Sequence, residues 1–205
     1  MKAETTWAKL AEDSIVEKTA NALKQRGIEV FIADTREDAK KKVLELIPEG
    51  AEVMNVTSVT LDEIGVSKEI MESGRYNSIK KKIMSIDQKE MRQAMRRMSS
   101  VADYVVGSVH AVTQEGQVTI ASASGSQLAP YAFGAANVIW VVGTQKIVKN
   151  LDEAFKRMKE YSFPLEDARA RKVYGMGSSI NKILILEREW PGRIKLIFVK
   201  ENLGF

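Results

Sequence analysis

Apolar positions along the chain recur at two periods, and the alternation between them sets out the expected elements. Ala11, Ile15, Thr19, Ala22 and Leu23 repeat at helical spacing with Gly27 as a stop signal, predicting an N-terminal helical segment at about residues 1–26. Residues 29–33 read as a strand. Thr35 with Asp38 three residues on then caps a helix whose apolar face is Ala39, Val43, Leu46 and Ile47, with Lys40, Lys41 and Lys42 towards solvent. A second strand over 52–56 runs into Thr57-Ser58-Val59-Thr60, hydroxyl residues suited to capping the short helix that follows. A short helix is expected around 69–71 and an extended piece over 76–84, where Lys80, Lys81 and Lys82 read as surface charge. Asp87 and Glu90 open another helix with Met91, Ala94, Met95 and Met98 inward, a stripe read as core filling.

The second half is richer in strand signals. Residues 104–106, 118–121 and 138–142 are β-branched or aromatic runs of strand length. Asn150 and Glu153 start a helix with Leu151, Ala154, Phe155 and Met158 buried, and Pro164 is expected to break it before a short helix over 165–174. Residues 183–186 and 194–199 flank Pro191-Gly192 and read as a terminal pair of strands. The alternation predicts one unit over 1–205 with a three-layer α/β/α architecture, a mostly parallel sheet and an added antiparallel pair.

Composition narrows the chemistry. A hydrophobic fraction of 44% is ordinary for a packed protein, and a net charge of +4 is too mild to indicate a nucleic-acid partner. The absence of cysteine excludes disulfides, a thiol nucleophile and an iron–sulfur cluster ligated by this chain. With one histidine, no metal site is expected. No run is apolar and long enough for a signal peptide or a membrane span, so a cytoplasmic protein is expected, with self-association left open.

The candidate site follows from the strand ends. Gly107-Ser108, then Ser122-Ala123-Ser124-Gly125-Ser126, then Gly143-Thr144 place small polar residues where the strands of an α/β protein meet ligands. Ser58, Thr60, Gly107, Ser108, Ser124, Gly125, Ser126 and neighbouring amides are the expected ligand-binding set, with Lys146 supplying charge for a small anion. Glu63 and Glu115 are candidate bases, although Glu115-Gly116 also reads as a hairpin turn. Strand alternation puts Ser108 and His110 on one face. His110 either lines the site or is a hydrogen-bonded structural histidine, and a triad with Ser108 and Asp103 is conceivable. No Walker A or dinucleotide fingerprint occurs, and the cofactor is unspecified.

Residues 55–65 (NVTSVTLDEIG), 102–126 (ADYVVGSVHAVTQEGQVTIASASGS), 140–151 (WVVGTQKIVKNL) and 191–205, with 164–174 and 179–186, make the chain resemble the LUD-domain family of LutC-like lactate-utilisation proteins. The resemblance implies a NagB/RpiA/CoA-transferase-like fold and a role in utilising lactate or another small organic acid. It also implies iron–sulfur partner subunits, and it leaves open a non-catalytic scaffold or regulatory role in their complex. By similarity to the distant CoA-transferases, Glu115 becomes a candidate nucleophile.

Overall fold

The computed structural model describes residues 5–205; residues 1–4 of the N-terminal segment lie outside them. Helix α1 (Asp13–Gln25) leads into strand β1 (Glu29–Ala33), and α2 (Arg36–Leu46) into β2 (Glu52–Asn55). Next come α3 (Val59–Glu63), α4 (Val66–Glu72), the brief β3 (Asn77–Ser78), α5 (Ile79–Met84) and α6 (Gln88–Met98). The second half contains β4 (Tyr104–Gly107), β5 (Ala111–Thr113), β6 (Val118–Ser122), β7 (Asn137–Gly143), β8 (Ile147–Val148), α7 (Leu151–Arg157), α8 (Phe163–Tyr174), β9 (Lys182–Leu186) and β10 (Ile194–Val199).

Six strands form one sheet in the order β1-β10-β7-β4-β2-β3, with every pairing parallel. The near-continuous Val/Ile runs of β7 and β10 follow from burial on both faces. Alternation then divides them. Val138, Trp140, Val142, Leu196 and Phe198 join α1 in one core cluster, whereas Ile139, Val141, Ile197 and Val199 join α2, α3 and α4 in the other. Trp140 is fully buried edge-to-face on Tyr131, with ring centroids 5.3 Å apart. That geometry adds about 0.5–1.5 kcal/mol to the burial itself. A second, four-stranded sheet, β8-β5-β6-β9, is mixed.

The three-layer, largely parallel α/β architecture is present, with several local differences from the sequence reading. Residues 183–186 and 194–199 do not pair with each other: β9 joins the small sheet and β10 sits inside the main one. Both are β-rich runs, and only the tertiary partners distinguish an edge strand from a central one. Residues 79–84 are helical rather than extended, because the Ser78 side chain accepts from Lys81 N–H and starts a turn. Pro164 does not break the helical run. It lies in the first turn of α8, where a missing N–H costs nothing, and a single π-helical turn (Met158–Ser162) joins α7 to α8.

Candidate functional site

Strand order locates a crevice. From β2 the chain moves outward to β3 through α3 and α4 on one face. From β4 it moves the opposite way to β7 through β5 and β6 on the other. The point between the carboxyl ends of β2 and β4 is therefore where connections diverge, the usual ligand position in an open α/β sheet. A cavity of about 490 Å³ opens there, a size that suits a small organic ligand. Its floor comes from Val56–Thr60 after β2, Ser108–His110 after β4 and Lys146 after β7. One wall is α5 and α6; the other is the 121–127 loop of the small sheet with α8.

Lys146 is the most distinctive floor residue. It is 1% exposed, and its Nζ lies 3.1 Å from both Thr60 Oγ1 and Ser108 Oγ. The Thr60 hydroxyl donates to Leu203 C=O at 3.3 Å, so it accepts from the lysine. Among the described residues no carboxylate pairs with Lys146. Burial first, then the charge of Arg157, pushes the ammonium down to about 7, partly opposed by Glu63.

Arg157 is fully buried behind the cavity. Its Nη1 donates to His110 C=O at 2.6 Å and to Ser162 Oγ at 3.0 Å, while Nε and Nη2 have no partner among the described residues. Burial lowers its guanidinium to about 10. His110 Nδ1 accepts from Ala121 N–H at 3.1 Å, so the neutral ring carries its proton on Nε2. Burial, then Lys146 and Arg157, depress it to about 3. Lys146 and Arg157 thus lie close to the cavity without an acidic partner, an arrangement that favours anions.

The residues that carry the site also lie inside a match to the LUD domain family model, which spans residues 16–199. The chain belongs to the LUD domain family. A solved structure of a DUF162 family protein from Deinococcus radiodurans is similar at 13% identity, with a TM-score of 0.57 over 93% of this chain and 99% of that one. That likeness concerns the fold. The eIF2B beta and eIF2B delta structures from Chaetomium thermophilum are more distant, each with a TM-score of 0.36. Their identities are 16% and 14%. They cover 56% and 71% of this chain, and 40% and 57% of their own. No curated protein sequence matches it.

In this LUD domain the cavity brings together Ser58, Thr60, Ser108, Ser124, Ser126, Lys146 and His110 from four separate stretches of chain. Ser58 also caps α3 by accepting from Leu61 N–H. The serine loop is less open than its sequence suggests. Ser122 Oγ accepts from Gly125 N–H at 2.8 Å, and Ser124 Oγ from Ser126 N–H at 3.2 Å, so these amides are committed within the loop. The Ser124 and Ser126 hydroxyls lie 3.0 Å apart and pair with each other, and both residues line the cavity.

Other expected residues lie elsewhere. Gly107 is absent from the lining; it packs under Tyr131 and against Val56. Gly125 has φ +89 and serves the loop turn against Lys182. Glu63 is exposed, and its Oε2 accepts from Gly204 N–H at 2.8 Å. Glu115 is exposed in the β5–β6 hairpin turn beside Gly116 (φ +86), and its C=O accepts from Arg26 Nε on the α1 side. Neither carboxylate reaches the cavity, and the hairpin explains the Glu115-Gly116 pair. A Ser108–His110–Asp103 triad is not formed: Asp103 precedes β4 at the opposite sheet edge, and Nδ1 of His110 is taken by a backbone amide.

The sequence reading missed Arg157 and the wall residues. Met91 packs against the core and also lines the cavity, Met95 lines it from an exposed position outside the core, and Lys80 sits at its mouth 3.4 Å from Thr57 Oγ1. Glu166 and Arg169 form a bidentate ion pair on the α8 side, with N–O distances of 2.7 and 2.8 Å. No local motif marks any of these. Among the described residues no group of three or more His, Cys, Asp or Glu side chains is placed to hold a metal, and no helix is long and apolar enough to cross a membrane.

The His110 depression carries a pH signature. Its folded value lies below the ordinary histidine value of 6.5, so between about 6.5 and 3 the unfolded chain binds the extra proton. Stability from this group is complete above 6.5 and is lost as pH falls. The loss reaches about 1.4 kcal/mol per pH unit at its steepest. His110→Gln, which keeps an acceptor and a donor, is expected to flatten that part of the slope. Urea unfolding of both proteins across this range checks it; parallel slopes would contradict the burial of a neutral imidazole.

Proposed function

We propose that this LUD domain binds a small organic acid of the lactate class in the cavity between the carboxyl ends of β2 and β4. The observation that carries this reading is the pair of buried cationic side chains, Lys146 and Arg157, with no acidic counterpart among the described residues. Charge buried this way is costly unless an anion neutralises it. Ser108, Ser124, Ser126 and the Nε2–H of His110 add the directional donors that a carboxylate and an adjacent oxygen require. Family membership supports the organic-acid class.

Lactate, pyruvate and longer carboxylates are expected to raise the melting temperature with increasing concentration, as any ligand selective for the folded state does. The effect should weaken above pH 7 as Lys146 loses its proton. A panel of such acids producing no shift in a well-folded sample would reject the assignment.

A second reading, a subunit docking an iron–sulfur partner of a lactate-oxidising complex, draws on a different surface. Phe133 is 90% and Trp190 85% exposed. Arg193 ties their two segments together, donating to Tyr131 C=O and pairing with Glu189, at the amino edge of the sheet far from the cavity. Exposed aromatics of this kind mark contact surfaces. Phe133→Ser with Trp190→Ser should abolish co-purification with such a partner and leave acid binding intact.

A further inference from the structure

We propose that Lys146 is a covalent nucleophile: its amine adds to the ketone carbon of a 2-oxo acid bound in the cavity, and loss of water leaves an imine. This rests on the organic-acid reading of the same cavity and assigns the lysine a reaction rather than charge alone.

The geometry suits a neutral amine. Nζ has two hydroxyl partners at 3.1 Å, Thr60 and Ser108. The Thr60 hydroxyl spends its proton on Leu203 C=O and can only accept from the lysine. A neutral amine has two N–H groups and one lone pair. Two hydroxyl acceptors use both hydrogens and leave the lone pair for the cavity, whereas an ammonium would hold a third N–H without a partner. The surroundings push the same way. Among the described residues Nζ is buried and pairs with no carboxylate, the cationic Arg157 is near, the neutral His110 lines the same space, and the more remote Glu63 opposes the effect. Desolvation beside another cation is how lysines are activated towards carbonyls.

The step balances within the site. The nitrogen–carbon bond forms as the carbonyl π pair moves to oxygen. That oxygen then departs as water carrying the two amine protons, with the Ser108 hydroxyl placed to relay one of them. A 2-oxo acid is the substrate class because it joins a ketone to a carboxylate, for which the His110 Nε2–H and the serine hydroxyls remain as donors. The matching 2-hydroxy acid offers no carbonyl and can bind but not react.

The test is reductive trapping of the full chain with pyruvate and cyanoborohydride at neutral pH, read by peptide mass mapping beside melting curves. The expected product is an N-(1-carboxyethyl) group on Lys146, formed well ahead of any on exposed lysines. Lactate in place of pyruvate should leave the peptide unmodified. Lys146→Arg, which keeps a cation, should retain the pyruvate melting shift and give no adduct at position 146; Lys146→Met should lose both. A pyruvate melting shift in wild type with an unmodified Lys146 overturns the imine and leaves the binding reading standing. Labelling of surface lysines at the same rate as Lys146 also overturns it. Absence of both shift and adduct removes the two readings together.

Discussion

Lys146→Met is expected to make the protein more stable at pH 7 while abolishing its response to organic acids. The lysine value falls from 10.5 to about 7 in the folded state, so the unfolded chain binds more protons between these limits and wild-type stability rises with pH across that window. At the foot of that window, near pH 7 with the buried amine half protonated, the charge costs the folded protein on the order of 4 kcal/mol. Methionine has nearly the same length and no charge. Its cost is the loss of two hydroxyl contacts, about 1 kcal/mol each. The net gain is therefore about 2 kcal/mol near neutrality, or roughly 4–8 °C for a chain of this size. The sign should reverse at about pH 9, where the remaining charge penalty has fallen to the worth of the two contacts, and above it neutral Lys146 makes wild type the more stable protein. Thermal unfolding of the two proteins from pH 6 to pH 11 would reveal this crossing. A variant less stable at every pH would mean the charge is compensated in the folded protein.

Gly107→Ala is expected to cost about 2–3 kcal/mol, the scale of forced overpacking in a core. Gly107 ends β4, and its backbone is not in the left-handed region, so the constraint is space rather than conformation. An added Cβ would run into the Tyr131 hydroxyl and lie 2.7 Å from Val56 Cγ2. Tyr131 is pinned from behind by Trp140 and cannot retreat cheaply. Removing the hydroxyl with Tyr131→Phe should return part of the loss, with Val56 preserving the remainder. Equilibrium denaturation of the single and double variants gives the coupling directly, and residues in contact of this kind typically couple by 0.5 kcal/mol or more. Additive losses would show that the two groups do not meet. Acid binding should survive in any variant that folds, since Gly107 packs beneath the site and does not line it.

The helices α1, α2, α6 and α7 were readable because each has a three-to-four-residue apolar period and, in α2 and α7, a capping residue whose side chain accepts from the first turn. The glycine- and serine-rich strand ends pointed to the carboxyl edge. Ser108, Ser124 and Lys146 could be proposed because hydroxyl and basic side chains suit an anion whatever surrounds them. Gly107 and Glu115 each admit two readings for one shared reason. A glycine can make room for a ligand or for a tyrosine, and a Glu-Gly pair can serve catalysis or a hairpin. Composition is the same in both cases, and only neighbours distant in sequence decide. Arg157 shows the converse. It ends α7 like an ordinary surface arginine, and its burial depends on the π-helical turn that follows and on packing over His110.

Local periodicity, capping chemistry and the order of strand-like and helix-like runs were enough to determine the α/β class and the segments that border the site. These signals act over a few residues, within the reach of backbone hydrogen bonding and side-chain spacing. Tertiary structure decided the strand order that opens the crevice between β2 and β4, the separation of β9 from β10, and the burial of Lys146 with no carboxylate paired to it among the described residues. Those depend on contacts between residues far apart in sequence, as Thr60 with Leu203, 143 positions away. The desolvation that changes a lysine from a surface charge into a reactive amine exists only once those contacts have closed around it.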